Sequence, residues 1–201
     1  RVYSPAAGKK IRLKIEDGGD PTVSMEKDVL TTKAGAWETL SFDFGTPDAG
    51  VYNAAKTYNK VSIFPDFLVA AAASQDYYFD ELKVPAAASG GGGGTTTSID
   101  FSAAGVALEN FEGLGSGTIA VDPTNAANKV ARLVKVPAGQ PWAGTTVYTE
   151  ASNKSVAAIG FATSKIITMR VYSPAPGKLI MLKVENAADN TINMEARATT
   201  T

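Results

Sequence analysis

The chain has 201 residues, of which 44% are hydrophobic and 8% aromatic, a composition that can build a packed core and is unlike that of a disordered segment. Its 19 basic and 20 acidic residues give a formal net charge of −1, which argues against nucleic acid or an anionic membrane as a partner. Cysteine and histidine are absent, which excludes zinc fingers, histidine-ligated metals and Cys–His or Ser–His catalysis in their ordinary forms. The longest run of small apolar residues, at 69–73, is far too short to be a transmembrane segment.

An internal repeat with an offset of 169 residues organises the chain. The stretch RVYSPAAGKKIRLKIE at residues 1–16 returns as RVYSPAPGKLIMLKVE at residues 170–185, and 18 of the 32 positions in 1–32 and 170–201 are identical without a gap. This similarity predicts a tandem array of repeats. Since the sequence begins in mid-strand with Arg1, we also expect it to be a piece of a longer protein.

Comparison of the two copies shows which face of the strand predicted at residues 9–16 is buried. The alternate positions that stay apolar are Ile11, Leu13 and Ile15 in the first copy and Ile180, Leu182 and Val184 in the second. On the opposite face, Lys10 and Arg12 of the first copy are replaced by Leu179 and Met181. A slip of one residue would bury charged groups, so the alternation fixes the orientation of this strand.

The rest of the chain consists of short predicted strands, and no segment shows a convincing helical stripe. In chain order, the further strands are predicted at 22–30, 36–44, 58–67, 77–84, 98–102, 118–121, 129–136, 142–148 and 165–172. Within 36–44, Leu40, Phe42 and Phe44 alternate and are expected to face the core. Pro65 indicates an edge strand or a bulge, and residues 109–117 are predicted to be a glycine-rich loop.

Residues 85–97 (PAAASGGGGGTTT) are predicted to be a flexible linker, because they contain five consecutive glycines and have no periodicity. On this division, residues 1–84 are the C-terminal part of one repeat and residues 98–201 the N-terminal part of the next. A full repeat would be residues 98–201 followed by the equivalent of 33–84, which together with a linker accounts for the offset of 169. Alternatively, residues 33–84 supply the missing strands of the domain formed by 98–201. They would do so within one chain, as a circularly permuted domain, or between two chains. In either case the strands in 1–32 are redundant and must pack elsewhere.

The many short strands, the turns at intervals of about 8–12 residues and the absence of helices predict an all-β protein. The expected architecture is an antiparallel two-sheet β-sandwich, and a jelly roll fits best.

The motif order SIDF, NKVARLVK, WAGTTV, MRVYSPAPGKLIMLKVE, AWETLSFDF and YYFDELKV resembles bacterial jelly-roll carbohydrate-binding modules. Such modules are appended, often in tandem, to secreted polysaccharide-degrading enzymes and surface proteins. The resemblance covers nearly the whole chain outside the linker. It implies a concave sheet face for a glycan, often a structural calcium between the first and last strands, and an extracellular or cell-surface location.

Aromatic and charged residues outside the core face are the candidates for contacting a glycan, because sugar rings stack on aromatic rings and sugar hydroxyls bind polar side chains. The candidates are Trp142, Arg170, Tyr172, Lys183, Glu185 and Glu195. Their alternative roles are structural. Trp142 could equally cap the core, and the charged residues could form a cross-strand ladder that keeps the sheet soluble, which is the favoured interpretation. Trp37 is expected to close one end of the sandwich.

For calcium, the resemblance points to Asp80 in the last strand and Asp100 in the first, with Asp122 and Asn125 as further oxygen donors. A catalytic pair of carboxylates such as Glu16 and Glu26 is rejected, because the sequence has no pocket signature and the repeat duplicates a scaffold. The chain is therefore predicted not to be an enzyme.

Two functions remain open at this point. The first is a non-catalytic polysaccharide-binding module, in which tandem repetition adds avidity. The second is a structural, self-assembling repeat of a cell-surface fibre, filament or adhesin stalk without a glycan ligand. Its partners would be neighbouring repeats or chains joined by strand donation.

Overall fold

The computed structural model describes residues 2–3, 7–16, 24–50, 52–87, 96–162, 164–173, 177–186 and 189–200. In this part of the chain the regular structure is entirely β-strand, and no helix is present that could cross a membrane. The strands are β1 (Val2–Tyr3), β2 (Lys9–Glu16), β3 (Ser24–Leu30), β4 (Trp37–Asp43), β5 (Ala49–Gly50), β6 (Lys60–Pro65), β7 (Gln75–Pro85), β8 (Thr96–Ile99), β9 (Ala107–Phe111), β10 (Ser116–Asp122), β11 (Asn125–Lys135), β12 (Gly144–Tyr148), β13 (Ile166–Tyr172), β14 (Leu179–Asn186) and β15 (Asp189–Thr200).

The strands form two antiparallel sheets, as the prediction of an all-β sandwich requires. The first sheet has the order β1-β4-β13-β7-β11-β10, with β8 also paired to β7. The second sheet has the order β5-β3-β14-β15-β2-β6-β12-β9. Both sheets combine strands from before residue 88 with strands from after residue 95, so the two parts of the chain share one core.

Strand β4 shows how period-two alternation builds that core. Leu40, Phe42 and Phe44 are buried, whereas Thr39 and Ser41 on the opposite face are exposed. The predicted inward face of this strand is therefore confirmed. The large buried rings of the core come from the first sheet and the connecting loops: Phe42, Phe44, Tyr58, Tyr77, Phe79, Phe101 and Phe161.

Two local predictions were wrong. The segment 109–117 is not a continuous loop, because β9 (Ala107–Phe111) pairs with β12 as the last strand of the second sheet. Its sequence ALENF lacks clean alternation, so the pairing had no local signal. Pro65 also does not mark an edge, since β6 lies between β2 and β12. Pro65 is the last residue of β6, where its missing N–H removes no interior ladder bond.

The predicted linker is bounded by paired strands. Pro85 at the end of β7 pairs with Thr96 at the start of β8, while residues 88–95 lie outside the described residues. The division into residues 1–84 and 98–201, and the tandem array itself, stay predictions.

The two copies of the sequence repeat form the same hairpin. We call β1, β2 and β3 the first copy, and β13 from Arg170 onward with β14 and β15 the second copy. In the first copy Ile11 pairs with Val29 and Ile15 with Met25. The equivalent pairs in the second copy are Ile180 with Ala198 and Val184 with Met194. The two hairpins, which share the same apolar alternation, therefore have the same strand register.

Candidate functional site

A groove of about 630 Å³ lies on the outer face of the second sheet. Alternation in β6 explains which residues reach it: Val61 and Ile63 face the core, while Lys60, Ser62 and Phe64 line the groove. Strands β9, β12, β14 and β15 extend the same surface. Their contributions, with those of two loops, are Glu109, Phe111, Thr146, Met181, Lys183, Glu195, Phe67, Leu68 and Trp142.

The floor of the groove is apolar and largely aromatic. Phe64 meets Phe111 edge to face at a ring distance of 5.2 Å and Phe67 at 5.6 Å. Leu179 and Met181 are buried in the same cluster. Gly144 of β12 makes room for Phe111, because a Cβ at that position would lie 2.8 Å from the Phe111 ring. The floor is therefore a second, smaller apolar cluster on the side of the sheet away from the core.

Trp142 stands at the rim of this floor with 43% of its surface exposed. It lies in the loop before β12, beside a second loop that carries Phe67 and Leu68. The Leu68 N–H donates to the carbonyl of Pro141 at 3.1 Å, which joins the two loops. The position of the indole thus depends on both loops.

A buried lysine also ties these loops together. The Lys135 ammonium donates to the carbonyls of Pro65, Asp66 and Pro141 at 3.0, 2.8 and 2.7 Å. Burial lowers the pKa of Lys135 to about 7, with Asp66 opposing this shift and Lys178 adding to it. Sequence reasoning missed this role. The available signal was a lysine in alternation with Ala131 and Leu133, two core residues.

Hydroxyl and charged groups surround the apolar floor. The buried hydroxyls of Ser62 and Thr146 lie 3.1 Å apart, and Lys154 forms an ion pair with Glu109. Burial lowers the pKa of Lys60, while Glu109 raises it and Lys154 again lowers it. The groove therefore combines an apolar surface with hydroxyl groups, cationic lysine side chains and anionic carboxylates.

The structure brings together three of the six residues predicted to contact a glycan. Trp142, Lys183 and Glu195 all line the groove. The side chain of Glu185 lies outside the described ones, as do those of Glu16 and Glu26. Arg170 and Tyr172 belong to the first sheet and do not line the groove.

Arg170 is buried between two carboxylates of the first sheet. Its guanidinium lies 3.0 Å from Asp80 Oδ2 and 3.4 Å from Asp122 Oδ2, and 3.9 Å from the centre of the Trp37 ring. The Asn128 amide donates to both carboxylates, at 2.9 and 3.1 Å. This arrangement satisfies the charge of Arg170 internally, so its place is that of a structural residue.

The two carboxylates differ in their hydrogen bonding, and their pKa values move in opposite directions. Burial raises the pKa of Asp80, although donors from Asn128 and Glu81 act against it. Burial also acts to raise the pKa of Asp122, but hydrogen bonds from Thr124, Asn128 and Trp37 outweigh it and lower the pKa.

Tyr172 continues this packed surface. Its ring meets Trp37 at 5.5 Å and Tyr78 at 5.2 Å, both edge to face. The Trp37 indole N–H donates to Asp122 Oδ1 at 3.1 Å and Thr124 Oγ1 at 2.9 Å. We call Trp37, Tyr78, Asp80, Asp122, Arg170 and Tyr172 the closed face.

The two residues predicted to bind calcium have separate surroundings. Asp80 is buried against Arg170, whereas Asp100 is exposed and accepts a hydrogen bond from the Ser102 N–H at 2.8 Å. Among the residues that the structure describes, no group of three or more acidic side chains is arranged to hold a metal ion. Calcium binding stays a prediction, and the cation beside Asp80 and Asp122 is the Arg170 guanidinium.

No family model, curated protein or solved structure matches this chain. The groove and the closed face are thus the observations from which a function is inferred.

Proposed function

We propose that this chain is a non-catalytic module of a secreted or cell-surface protein, and that it binds polysaccharide in the groove on the outer face of the second sheet. The observation that carries the proposal is the exposed Trp142 beside an apolar floor that is surrounded by hydroxyl and charged groups. The motif resemblance to jelly-roll carbohydrate-binding modules supports the same function.

The chemistry of the groove suits a sugar chain. A pyranose ring has an apolar C–H face, which stacks on aromatic rings, and a rim of hydroxyls, which needs donors and acceptors. Trp142 supplies an exposed ring, and Phe111 and Phe64 supply the floor. Lys183 and Glu195 add polar groups to the groove lining, where Glu195 is buried and paired with Arg12 at 3.4 Å. The volume of about 630 Å³ is within the usual range for ligand sites, roughly 300–1,000 Å³.

The groups of the groove favour binding over catalysis. Glu109 is engaged by Lys154, and the hydroxyls of Ser62 and Thr146 engage each other. These are the features of a preformed polar rim. A single groove of this kind binds weakly, and repetition along a polymer would multiply its effect through avidity.

The test is a titration of the full chain with soluble polysaccharides of neutral and acidic composition, followed by affinity electrophoresis and calorimetry. Trp142→Ala should weaken binding by about 5- to 150-fold, since the loss of one stacked ring costs on the order of 1–3 kcal/mol. Val121→Ala is the matched control, because Val121 is 57% exposed on the first sheet and should bind normally. A folded chain that binds none of these polymers would refute the proposal.

A structural repeat in a cell-surface fibre is the second candidate. The observation that favours it is that two segments of this chain pair with the same strands. Such duplicated pairing is what strand donation between neighbouring repeats requires.

A further inference from the structure

Both copies of the repeat pair with the same residues of β7. Val2 of the first copy and Val171 of the second are both in register with Phe79, whose other edge is taken by Ala131 of β11. One residue earlier in β7, Tyr78 also has three partners in register. They are Tyr3 of the first copy, Tyr172 of the second copy and Arg132 of β11. A strand has two hydrogen-bonding edges, so three partners at one residue mean that two of them share a place. Strands β1 and β13 are the two that share it.

The residues just before β2 and β14 also lie together. The Lys178 N–H reaches Thr31 Oγ1 at 3.1 Å and Thr200 Oγ1 at 3.0 Å, and these threonines are equivalent positions of the repeat. Gly177 lies directly against the backbone of Gly8, its own equivalent. Both glycines have left-handed φ values, of +78° and +74°. Equivalent residues of the two copies therefore lie together at this position.

The copies meet the groove floor at the same point with different chemistry. Arg12 of the first copy lies 4.6 Å from the centre of the Phe67 ring. Its equivalent in the second copy, Met181, is buried in the cluster that contains Phe67 and Phe64. Two residues earlier on the same strand face, the equivalent residues are Lys10 in the first copy and Leu179 in the second. The strand beside the aromatic floor thus carries two cations in the first copy, both paired with Asp28, and two apolar side chains in the second. The second copy also brings a cation to the floor, because the Arg197 guanidinium lies 4.5 Å from the centre of the Phe67 ring.

We propose that the first and second copies are alternative occupants of one hairpin position in the two sheets, and that the occupant sets the chemistry of the groove. With the second copy in place, Leu179 and Met181 give an apolar floor suited to a neutral polysaccharide. With the first copy in place, Lys10 and Arg12 bring two cations and their shared carboxylate partner, Asp28, to a charged floor that is suited to an acidic polysaccharide. The statement about polysaccharide class rests on the proposed function, whereas the alternation does not.

The exchange begins at Arg170. The preceding residues of β13 lie outside the repeated stretch and pair with β4, at Ile167 with Phe42 and Met169 with Leu40. These pairs therefore persist in either state. The copy that is left out loses the partner for its apolar face, which includes Ile11 in the first copy and Ile180 in the second.

The alternation can be tested in the full chain, because it contains no cysteine and introduced thiols are unambiguous. One double variant, Tyr78→Cys with Tyr172→Cys, links the second copy to β7 on oxidation. The other, Tyr78→Cys with Tyr3→Cys, links the first copy at the same residue. The reduced form of each variant is its own control for the cost of the substitutions.

The expected result is reciprocal protection from amide hydrogen exchange. In the first oxidised variant, residues 170–200 should be protected and residues 2–30 should exchange rapidly. In the second, the pattern should be reversed. Protection of both segments in either oxidised variant would overturn the alternation, and so would failure of the thiols at positions 3 and 78 to form a disulfide.

The groove chemistry is tested by titrating both oxidised variants with a soluble neutral β-glucan and a polyuronate. We expect the ratio of the two affinities to shift toward the polyuronate by about tenfold when the first copy is locked in place. Met181→Arg in the chain locked on its second copy should reproduce this shift without any exchange. If hydrogen exchange is reciprocal but neither polymer binds, the proposed function fails and the alternation stands. Equal affinity ratios in the two locked chains would refute the control of polysaccharide class.

Discussion

The outer faces of the two sheets carry similar residues and differ in how these residues are satisfied. On the closed face of the first sheet, Arg170 is enclosed by Asp80, Asp122 and Trp37. On the second sheet, Trp142 is 43% exposed beside a groove of about 630 Å³. Aromatic and charged residues on a non-core face therefore do not by themselves indicate a binding site. The distinction lies in whether an aromatic ring stays exposed beside a groove, as Trp142 does, or packs against neighbouring side chains, as Trp37 and Tyr172 do.

The largest effect that separates the two faces is expected at Arg170. In the chain locked on its second copy, Arg170→Ala should lower the free energy of unfolding by about 3–5 kcal/mol, because it leaves two carboxylates buried without their cation. Urea unfolding measures this loss, and polysaccharide binding by the folded fraction should not change. Arg170→Lys is the control that keeps the charge but loses the guanidinium fork and its stacking on Trp37.

A loss below about 1 kcal/mol in the locked chain would contradict a structural role for Arg170, since that is the range of exposed pairs. If the first copy takes over the position, the unlocked chain should lose less stability than the locked one. This difference links the closed face to the exchange of copies.

The next effect concerns the groove floor. Gly144→Ala should lower the free energy of unfolding by about 1–3 kcal/mol, because the added Cβ meets the Phe111 ring and the Ile63 carbonyl. It should also weaken polysaccharide binding, since Phe111 must shift into the groove. Combining Gly144→Ala with Phe111→Leu should recover part of the stability. Strict additivity of the two substitutions in urea unfolding would show that the ring does not depend on the glycine.

The buried lysine predicts a pH dependence of stability. The ordinary pKa of lysine is 10.5, and burial lowers that of Lys135 to about 7. Between these values the unfolded state binds a proton that the folded state lacks, so the free energy of unfolding rises with pH. From about pH 7 to pH 9 the gain should be on the order of 2 kcal/mol.

Lys135→Met should remove this part of the slope, and urea midpoints at the two pH values measure it. The window ends below the ordinary pKa of tyrosine, 10.0, because burial raises the pKa of Tyr77 and its titration would then act in the opposite direction. A variant with the same slope as the wild-type chain would show that Lys135 does not change its protonation on unfolding.

The smallest effect is expected at the edge of the closed face. Arg132 and Asp76 form an ion pair of 2.9 Å, but their side chains are 39% and 37% exposed. Asp76→Asn should therefore change the free energy of unfolding by less than about 1 kcal/mol and leave polysaccharide binding intact. The difference should shrink at high salt. A larger loss of unfolding free energy that does not depend on salt would show that the structural network around Arg170 includes Asp76 and Arg132.

Much of the scaffold was predictable because strand alternation is a local property. The buried series Leu40, Phe42 and Phe44 is visible in the sequence and confirmed in the structure. The hairpin registers of the two copies follow from the same pattern, as Ile11 with Val29 and Ile180 with Ala198 show. In contrast, β9 has no clean alternation, and only its pairing with β12 makes it a strand.

The candidate site was predictable in part. Trp142, Lys183 and Glu195 were identified as residue types suited to a glycan, and the structure places them in one groove. Arg170 and Tyr172 have the same chemistry, yet they belong to a face where their neighbours satisfy them. No local pattern separates these two groups.

The sequence by itself determined the strand content, the inward face of its clearest strands and the duplication of one hairpin. It could do so because a period of two residues acts over a few neighbouring positions. Only the tertiary structure decided the order of strands in the two sheets. That order closes the network around Arg170 and opens the groove beside Trp142. It also directs both copies of the hairpin to the same edge of β7, because each position in a sheet depends on partners that are distant in sequence.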